Sequence, residues 1–131
     1  MIWIRADANS EIGSGHLMRC LSVADRIREE GREVCFLIAD EGPVPFLEKW
    51  NMPYKILGTD YRRMEEELPV LMPILRAAKA SVLLVDSYFV TAKYLSALKE
   101  KLFVAYMDDK NSFPYPVNAV INYNIYGDLL P

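Results

Sequence analysis

The sequence has few of the side chains that bind metals or form disulfides. It contains one histidine, His16, and two cysteines, Cys20 and Cys35, among 131 residues. Cys20 falls in a helical pattern and Cys35 in an apolar strand pattern, which predicts buried free thiols in a reducing cytoplasm. One histidine and two separated cysteines are a poor basis for a zinc site, and we predict neither a metal nor a cofactor.

Long apolar runs and an excess of positive charge are also missing. The formal net charge is -3 with no basic cluster, which argues against a nucleic-acid partner. No apolar run approaches the ~20 residues of a membrane span, and the N-terminus shows no signal-peptide pattern. The chain is 52% hydrophobic and 25% charged, which is typical of a globular protein with its own core. We therefore expect one cytoplasmic domain over residues 1–131.

Strand-like and helix-like patterns alternate along the chain. The predicted strands are apolar runs without period-2 alternation, at 2–6 with one polar interruption, Arg5, and at 34–39, 54–57, 81–85, 102–107 and 119–122. The predicted helices lie at 15–30, 46–50 and 92–101, with another over 61–79 that Pro69 and Pro73 are expected to break or kink. This order favours an α/β fold, a Rossmann-like parallel sheet with helices on both faces.

Polar side chains stand at the ends of the predicted strands, where parallel sheets bind ligands. Asp7 follows the first strand, Asp86 the fourth, Asp108-Asp109 the fifth, and Asn122 ends the last. We predict that they gather at one edge of the sheet. Asp86 would bind sugar hydroxyls or orient a histidine there, or else act as a turn acid. The acidic pair at 108–109 is equally well explained as a solvated loop.

A glycine-rich turn connects the first strand to the first long helix. Gly13, Ser14 and Gly15 let the backbone turn sharply and approach a ligand, and the N–H groups that open the helix favour an anion. His16 stands at the start of this helix, where a neutral imidazole is able to act as a general base. The alternative is a histidine that only forms a loop hydrogen bond. The dinucleotide fingerprint's third glycine and the P-loop lysine are both absent.

Two more residues are candidates for ligand contact. Arg19 lies three residues after His16, so both share the first helical turn. We predict that Arg19 holds a phosphate or a carboxylate, with an ordinary solvated arginine as the alternative. Tyr88 follows closely after Asp86 and is suited to stacking on a sugar or base, with core packing as its alternative.

The motifs resemble the N-terminal signature of one enzyme family. Arg5-Ala6-Asp7-Ala8 and residues 12–24, IGSGHLMRCLSVA, resemble the UDP-sugar hydrolases of pseudaminic acid biosynthesis and the related spore coat polysaccharide biosynthesis proteins. Weaker resemblances lie at 85–88, where the chain reads VDSY, at 108–109 and at 122–124. The resemblance therefore extends over nearly the whole chain.

The resemblance implies a fold and an activity. It implies the N-terminal lobe of a glycosyltransferase-B-like fold, with a C-terminal nucleotide-binding lobe outside residues 1–131. The implied reaction is hydrolysis of a UDP-linked diacetamido-trideoxy sugar to free sugar and UDP, with His16 as the general base. Asp7, Asp86 and Tyr88 would lie near the sugar. Ser87 stands where the family often has histidine, so the identity of the substrate is left open.

Two other functions fit the same residues. A glycosyltransferase with this lobe would use His16 to activate a sugar or lipid acceptor in place of water. A non-catalytic domain would bind a sugar nucleotide or a partner protein and would not need His16. The residues predicted to contact substrate are Asp7, Gly13, Ser14, Gly15, Arg19, Asp86, Tyr88, Asp109 and Asn122.

Overall fold

Strands and helices alternate along residues 1–107 and 115–121, the part of the chain that the computed structural model describes. Each lies within about two residues of a predicted element, apart from the helix that contains the two prolines. None of the described helices is long and apolar enough to cross a membrane. The elements are β1 (Ile2–Ala6), α1 (Gly15–Glu29), β2 (Val34–Ile38), α2 (Val44–Lys49), β3 (Tyr54–Ile56), α3 (Met64–Ala77), β4 (Val82–Asp86), α4 (Ala92–Lys99), β5 (Phe103–Met107) and β6 (Ala119–Ile121).

The described strands form one parallel sheet in the order β3-β2-β1-β4-β5-β6. β1 lies in the middle, with Ile4 beside Phe36 of β2 on one side and Leu84 of β4 on the other. The strand order reverses between β1 and β4. In sheets of this kind, ligands bind in the crevice beyond the carboxyl ends of the two strands at that reversal.

Side chains from the two faces of the sheet form two separate cores. Trp3 packs on one face with residues of α3 and α4, among them Leu71 and Leu95. Ile4 packs on the other face with residues of α1 and α2, including Leu21. Since side chains alternate along a strand, strands buried on both faces read as continuous apolar runs. The predicted parallel sheet with helices on both faces is confirmed.

Helix α3 continues through Pro69 and Pro73, so the predicted break does not occur. Prolines four residues apart lie on one helix face, and both of these are exposed. Each proline removes one backbone donor from the helix. Met64, Leu71 and Leu75 are buried on the other side of the helix. Burial of this stripe therefore outweighs the local cost of the prolines.

Candidate functional site

The segment between β1 and α1 folds into a tight loop at the carboxyl edge of the sheet. The Asn9 side chain accepts hydrogen bonds from the backbone N–H groups of Glu11 and Ile12, both at 2.9 Å. The Gly13 N–H donates to the Asn9 carbonyl at 2.8 Å. Gly13 has a φ of 74°, a conformation that side-chain-bearing residues rarely adopt. The loop therefore needs glycine at this position to deliver the chain to the start of α1.

Unlike Gly13, Ser14 and Gly15 do not have a positive φ, so their backbone conformations do not require a particular residue type. The Ser14 carbonyl accepts the Met18 N–H at 2.9 Å, while its side chain forms no capping hydrogen bond. A Cβ atom added to Gly15 would meet no heavy atom within 4 Å. The space beside Gly15 is therefore open, and the predicted ligand contacts of both residues remain predictions.

His16 and Asp86 meet across the crevice between the ends of β1 and β4. His16 Nδ1 and Asp86 Oδ1 form a hydrogen bond. Asp86 is buried, while 11% of the His16 side chain is exposed. Because an ionised carboxylate only accepts hydrogen bonds, we assign the proton to Nδ1, which makes Nε2 the accepting atom of the neutral imidazole. Of the roles predicted for Asp86, the contact corresponds to orienting the histidine.

Arg19 binds the same carboxylate with two hydrogen bonds. Its Nε donates to Asp86 Oδ2 at 2.6 Å and its Nη2 donates to Oδ1 at 2.7 Å. The same Nη2 lies 3.2 Å from His16 Nδ1. Arg19 therefore holds a carboxylate of the protein itself, and the predicted contact of Arg19 with a ligand remains a prediction. The alternative of a solvated arginine is wrong.

Cys20 closes the inner side of this arrangement. Its thiol donates to Asp86 Oδ2 at 3.4 Å. Burial, and after it the charge of Asp86, raises the pKa of the Cys20 thiol well above its ordinary value. Both Cys20 and Cys35 are free and buried, as predicted. We call His16, Arg19, Cys20 and Asp86 the His16 cluster.

Tyr88 lies on the outer side of the His16 cluster. Its ring meets the His16 ring edge-on, with centroids 4.2 Å apart and an angle of 81° between the planes. It is 47% exposed, so core packing does not explain it. A small cleft opens here, lined by Asp7, Ile12, His16, Asp86, Ser87, Tyr88 and Phe89.

Asp7 belongs to a second cluster, which we call the Arg5 network and which consists of Arg5, Asp7, Glu67 and Tyr94. Arg5 Nη1 donates to Asp7 Oδ2 at 2.8 Å, and the Ala39 N–H donates to Asp7 Oδ1 at 2.8 Å. Arg5 Nε and Nη2 donate to the two oxygens of Glu67, each at 2.8 Å. The Tyr94 hydroxyl donates to Glu67 at 2.7 Å. All four residues are buried.

This network was not predicted, although Arg5 stands out in the sequence as the polar interruption of an apolar strand. Burial opposes the charge of Arg5, but the hydrogen bond to Glu67 and the charges of Asp7 and Glu67 raise the pKa of Arg5 above its ordinary value. Arg5 is therefore a permanent cation. Asp7 lines the wall of the cleft while both of its oxygens bind the protein, so its contact with substrate remains a prediction.

Two neighbouring loops hold the glycine-rich loop in place. A Cβ atom added to Gly42 would lie 2.1 Å from the carbonyl oxygen of Ala8, so the loop after β2 needs glycine to approach this closely. On the β3 side, the Tyr61 hydroxyl donates to Glu11. The sequence offered no sign of either contact, because both join loops that are distant along the chain.

Several predicted site residues are brought together and others lie outside the described residues. The structure places Asp7, His16, Asp86 and Tyr88 around one cleft, with Arg19 bound to Asp86. Asp109 and Asn122 lie outside residues 1–107 and 115–121, so their roles remain predictions. Within those residues, no three His, Cys, Asp or Glu side chains are grouped as a metal site requires.

The strand order, with β1 central and the site at the reversal beside it, is that of a Rossmann-like α/β domain. The crystal structure of MurG from Acinetobacter baumannii, a glycosyltransferase of this fold, is similar, with a TM-score of 0.64 and 16% sequence identity. The match covers 87% of this chain and 36% of MurG. At this low identity the likeness shows the fold alone.

No family model matches the sequence, and comparison with curated proteins gave no significant match. The expected glycosyltransferase-B-like fold is confirmed by the structural comparison. The resemblance to UDP-sugar hydrolases and spore coat polysaccharide proteins gains no support from it and rests on the sequence motifs. The division into an N-terminal lobe and a second lobe outside this chain remains a prediction.

Proposed function

We propose that this chain is the N-terminal lobe of a nucleotide-sugar hydrolase and carries its general base, His16. The observation behind the proposal is the hydrogen bond between His16 and Asp86 beside the reversal of strand order. With Nδ1 donating to Asp86, Nε2 takes a proton from water as the water attacks the anomeric carbon. The bond between that carbon and the diphosphate oxygen breaks, and UDP leaves with the bonding electrons.

The surroundings of His16 suit the sugar better than the diphosphate. Tyr88 offers an aromatic ring beside the imidazole, and the space beside Gly15 is open to substrate atoms. Arg19 is bound to Asp86, so its charge is already balanced. We therefore assign most of the binding of the diphosphate to a C-terminal lobe outside residues 1–131. The proposed substrate is a UDP-linked diacetamido-trideoxy sugar, as the motif resemblance implies.

A glycosyltransferase is the second candidate, favoured by the similarity to MurG. In that reaction His16 deprotonates a hydroxyl of a sugar or lipid acceptor, and the same anomeric bond breaks. The two reactions use the same base and the same leaving group. They differ in the acceptor, which is water in one case and a sugar or lipid in the other.

The test is a reaction in ¹⁸O-labelled water with the natural polypeptide that carries this chain. We expect the products to be free sugar and UDP, and we expect the UDP to carry no ¹⁸O. The reason is that the bond that breaks is on the sugar side of the bridging oxygen, so the oxygen of water does not enter UDP. Label in UDP would indicate attack at phosphorus and contradict the mechanism. Formation of a glycosylated acceptor in place of free sugar would favour the glycosyltransferase.

The role of His16 is tested in the same assay with two variants. We expect His16→Asn to lower the rate roughly 10²- to 10⁴-fold, the usual contribution of a general base. Arg26→Gln is the control, because Arg26 lies on the same helix with 77% of its side chain exposed. Equal rates for His16→Asn and the wild type would remove His16 from the mechanism. Binding of the sugar nucleotide without turnover by the wild type would favour the non-catalytic domain.

A further inference from the structure

We propose that Arg19 is a positioning residue that controls the protonation of His16 by neutralising the carboxylate of Asp86. Its catalytic consequence rests on the proposed function, because it matters to turnover only if His16 is the base. The electrostatic effect itself depends only on the geometry of the cluster and is measurable without any substrate.

Arg19 determines how Asp86 faces the histidine. The guanidinium binds both carboxylate oxygens, through Nε to Oδ2 at 2.6 Å and through Nη2 to Oδ1 at 2.7 Å. A planar group with two parallel hydrogen bonds fixes the plane of the carboxylate. Oδ1 is the oxygen that meets His16 Nδ1, so the position of Arg19 fixes this contact and the tautomer that follows from it.

Arg19 also changes the charge that the imidazole experiences. A lone carboxylate against Nδ1 favours the imidazolium, and an imidazolium is unable to accept a proton. The Arg19 Nη2 lies 3.2 Å from Nδ1, where its positive charge disfavours a second cation. The positive charge of Arg19 therefore opposes the effect of the Asp86 carboxylate on the imidazole.

The other described groups near the imidazole do not take over this role. Tyr88 and the buried Cys20 are uncharged side chains at neutral pH, and burial raises the pKa of the Cys20 thiol further. Asp7 lines the same cleft but is paired with Arg5. Among the described residues, Arg19 is the cation in contact with both members of the pair formed by the histidine and Asp86.

His16 is the only histidine in the sequence, so its Hε1 proton gives one unambiguous NMR signal. We would titrate the wild type, Arg19→Gln, Arg19→Lys and the control Arg26→Gln. In Arg19→Gln we expect the midpoint of imidazole protonation to move to higher pH by roughly one unit, as loss of an adjacent like charge predicts. In Arg19→Lys the positive charge is kept, so we expect a midpoint near that of the wild type. In Arg26→Gln the charge that is lost lies on the exposed face of the helix, so the midpoint should also stay near that of the wild type.

An unchanged midpoint in folded Arg19→Gln would overturn the proposal, and so would an equally large shift in Arg19→Lys. If Arg19→Gln does not fold, Arg19→Met takes its place in the titration, because it also removes the positive charge beside Asp86. The same shift to higher pH is expected for Arg19→Met, and an unchanged midpoint would overturn the proposal.

Kinetics separate this proposal from the proposed function. If both hold, the acidic limb of the pH profile of kcat/KM moves to higher pH in Arg19→Gln by the same amount as the NMR midpoint. A shifted midpoint without hydrolysis by the wild type would refute the hydrolase and leave the effect of Arg19 standing. Hydrolysis that requires His16, together with an unshifted midpoint, would refute only the role of Arg19.

Discussion

The molecule contains two arginine–carboxylate pairs of nearly the same geometry, one on each face of the sheet. Arg5 binds both oxygens of Glu67, and Arg19 binds both oxygens of Asp86. Each pair has further partners, Tyr94 in the first case and His16 in the second. The first pair has no exposed side-chain surface, whereas 11% of the Arg19 side chain is exposed.

The difference in exposure separates a structural ion pair from a candidate active site. In the Arg5 network the charged groups bind one another or the backbone, and the whole set is buried. In the His16 cluster the imidazole lines a cleft, so a group outside the protein is able to reach it. A buried ion pair alone therefore does not identify an active site. What distinguishes the candidate site is that a ligand is able to reach the histidine bound to the ion pair.

The largest expected effect on stability is in the Arg5 network. Glu67→Ala leaves Arg5 buried without the carboxylate it binds, and removing one partner of a buried ion pair costs about 3–5 kcal/mol of unfolding free energy. Urea denaturation of the 131-residue chain measures this change. Glu66→Ala is the control, because that neighbouring side chain is 70% exposed. Equal stabilities of the two variants would show that the network does not stabilise the fold.

Asp86→Asn is expected to affect both stability and turnover. Replacing the carboxylate weakens the hydrogen bonds to Arg19 and His16, with an expected loss of about 1–3 kcal/mol of unfolding free energy. If the hydrolase is correct, turnover falls roughly 10²-fold or more, because the carboxylate that orients His16 is replaced by a neutral and weaker acceptor. Glu67→Gln, the matched change in the other cluster, should keep its turnover per folded molecule. Equal losses of turnover would erase the distinction between the clusters.

Tyr94→Phe is expected to change stability without changing turnover, and the change in stability depends on pH. The lost hydrogen bond to a charged acceptor is worth about 1.5–3 kcal/mol at neutral pH. Burial, and next the charge of Glu67, raises the pKa of Tyr94 well above its ordinary value. A raised folded-state pKa adds stability below the unfolded pKa of about 10, and this stability is lost as pH rises towards the folded value.

Urea denaturation between neutral pH and about pH 11 tests this dependence. The wild type should lose stability faster than Tyr94→Phe as the pH passes the unfolded pKa of tyrosine, so the difference between the two proteins narrows. Parallel curves across that range would mean that Tyr94 titrates alike in the folded and unfolded chains.

The smallest expected effect is the modification of Cys20 by a thiol reagent, because Cys20 is as fully buried as Arg5 and Glu67 of the Arg5 network. The raised pKa keeps the thiol protonated at pH 8, so iodoacetamide should modify it far more slowly than an exposed cysteine. A Cys35→Ala background isolates the signal of Cys20, and mass spectrometry follows the reaction. Rapid alkylation of the native protein would show that the cluster is open on its inner side as well.

Local patterns along the chain were enough to predict most of the fold. Apolar runs located the described strands, and the helix predicted at 92–101 is observed as α4, whose first turn is capped by the Thr91 hydroxyl, which accepts the Tyr94 N–H at 3.1 Å. The failure at Pro69 and Pro73 has a physical cause. Proline preferences act locally, whereas the buried stripe of α3 gains its stability from the rest of the fold.

The individual residues of the candidate site were predicted from the sequence, but most of the contacts between them were not. The glycine-rich loop, His16 and Asp86 stood out because each follows or opens a regular element at the edge where ligands bind. Gly42 and Glu67 did not stand out in the sequence. Gly42 matters because Ala8 approaches it closely, and Glu67 matters because it binds the charged Arg5. Neither partner is adjacent in sequence, and no local pattern reports such a contact.

The sequence by itself determined the alternation of strands and helices and the positions of polar residues at strand ends, because these depend on side-chain periodicity over a few residues. Only the tertiary structure decided which charges meet. The register that sets Ala6 of β1 beside Asp86 of β4 brings that carboxylate to the start of α1. His16 and Asp86 are 70 residues apart, as Arg5 and Glu67 are 62 apart. Their pairing follows from packing and strand order, which act across the whole chain.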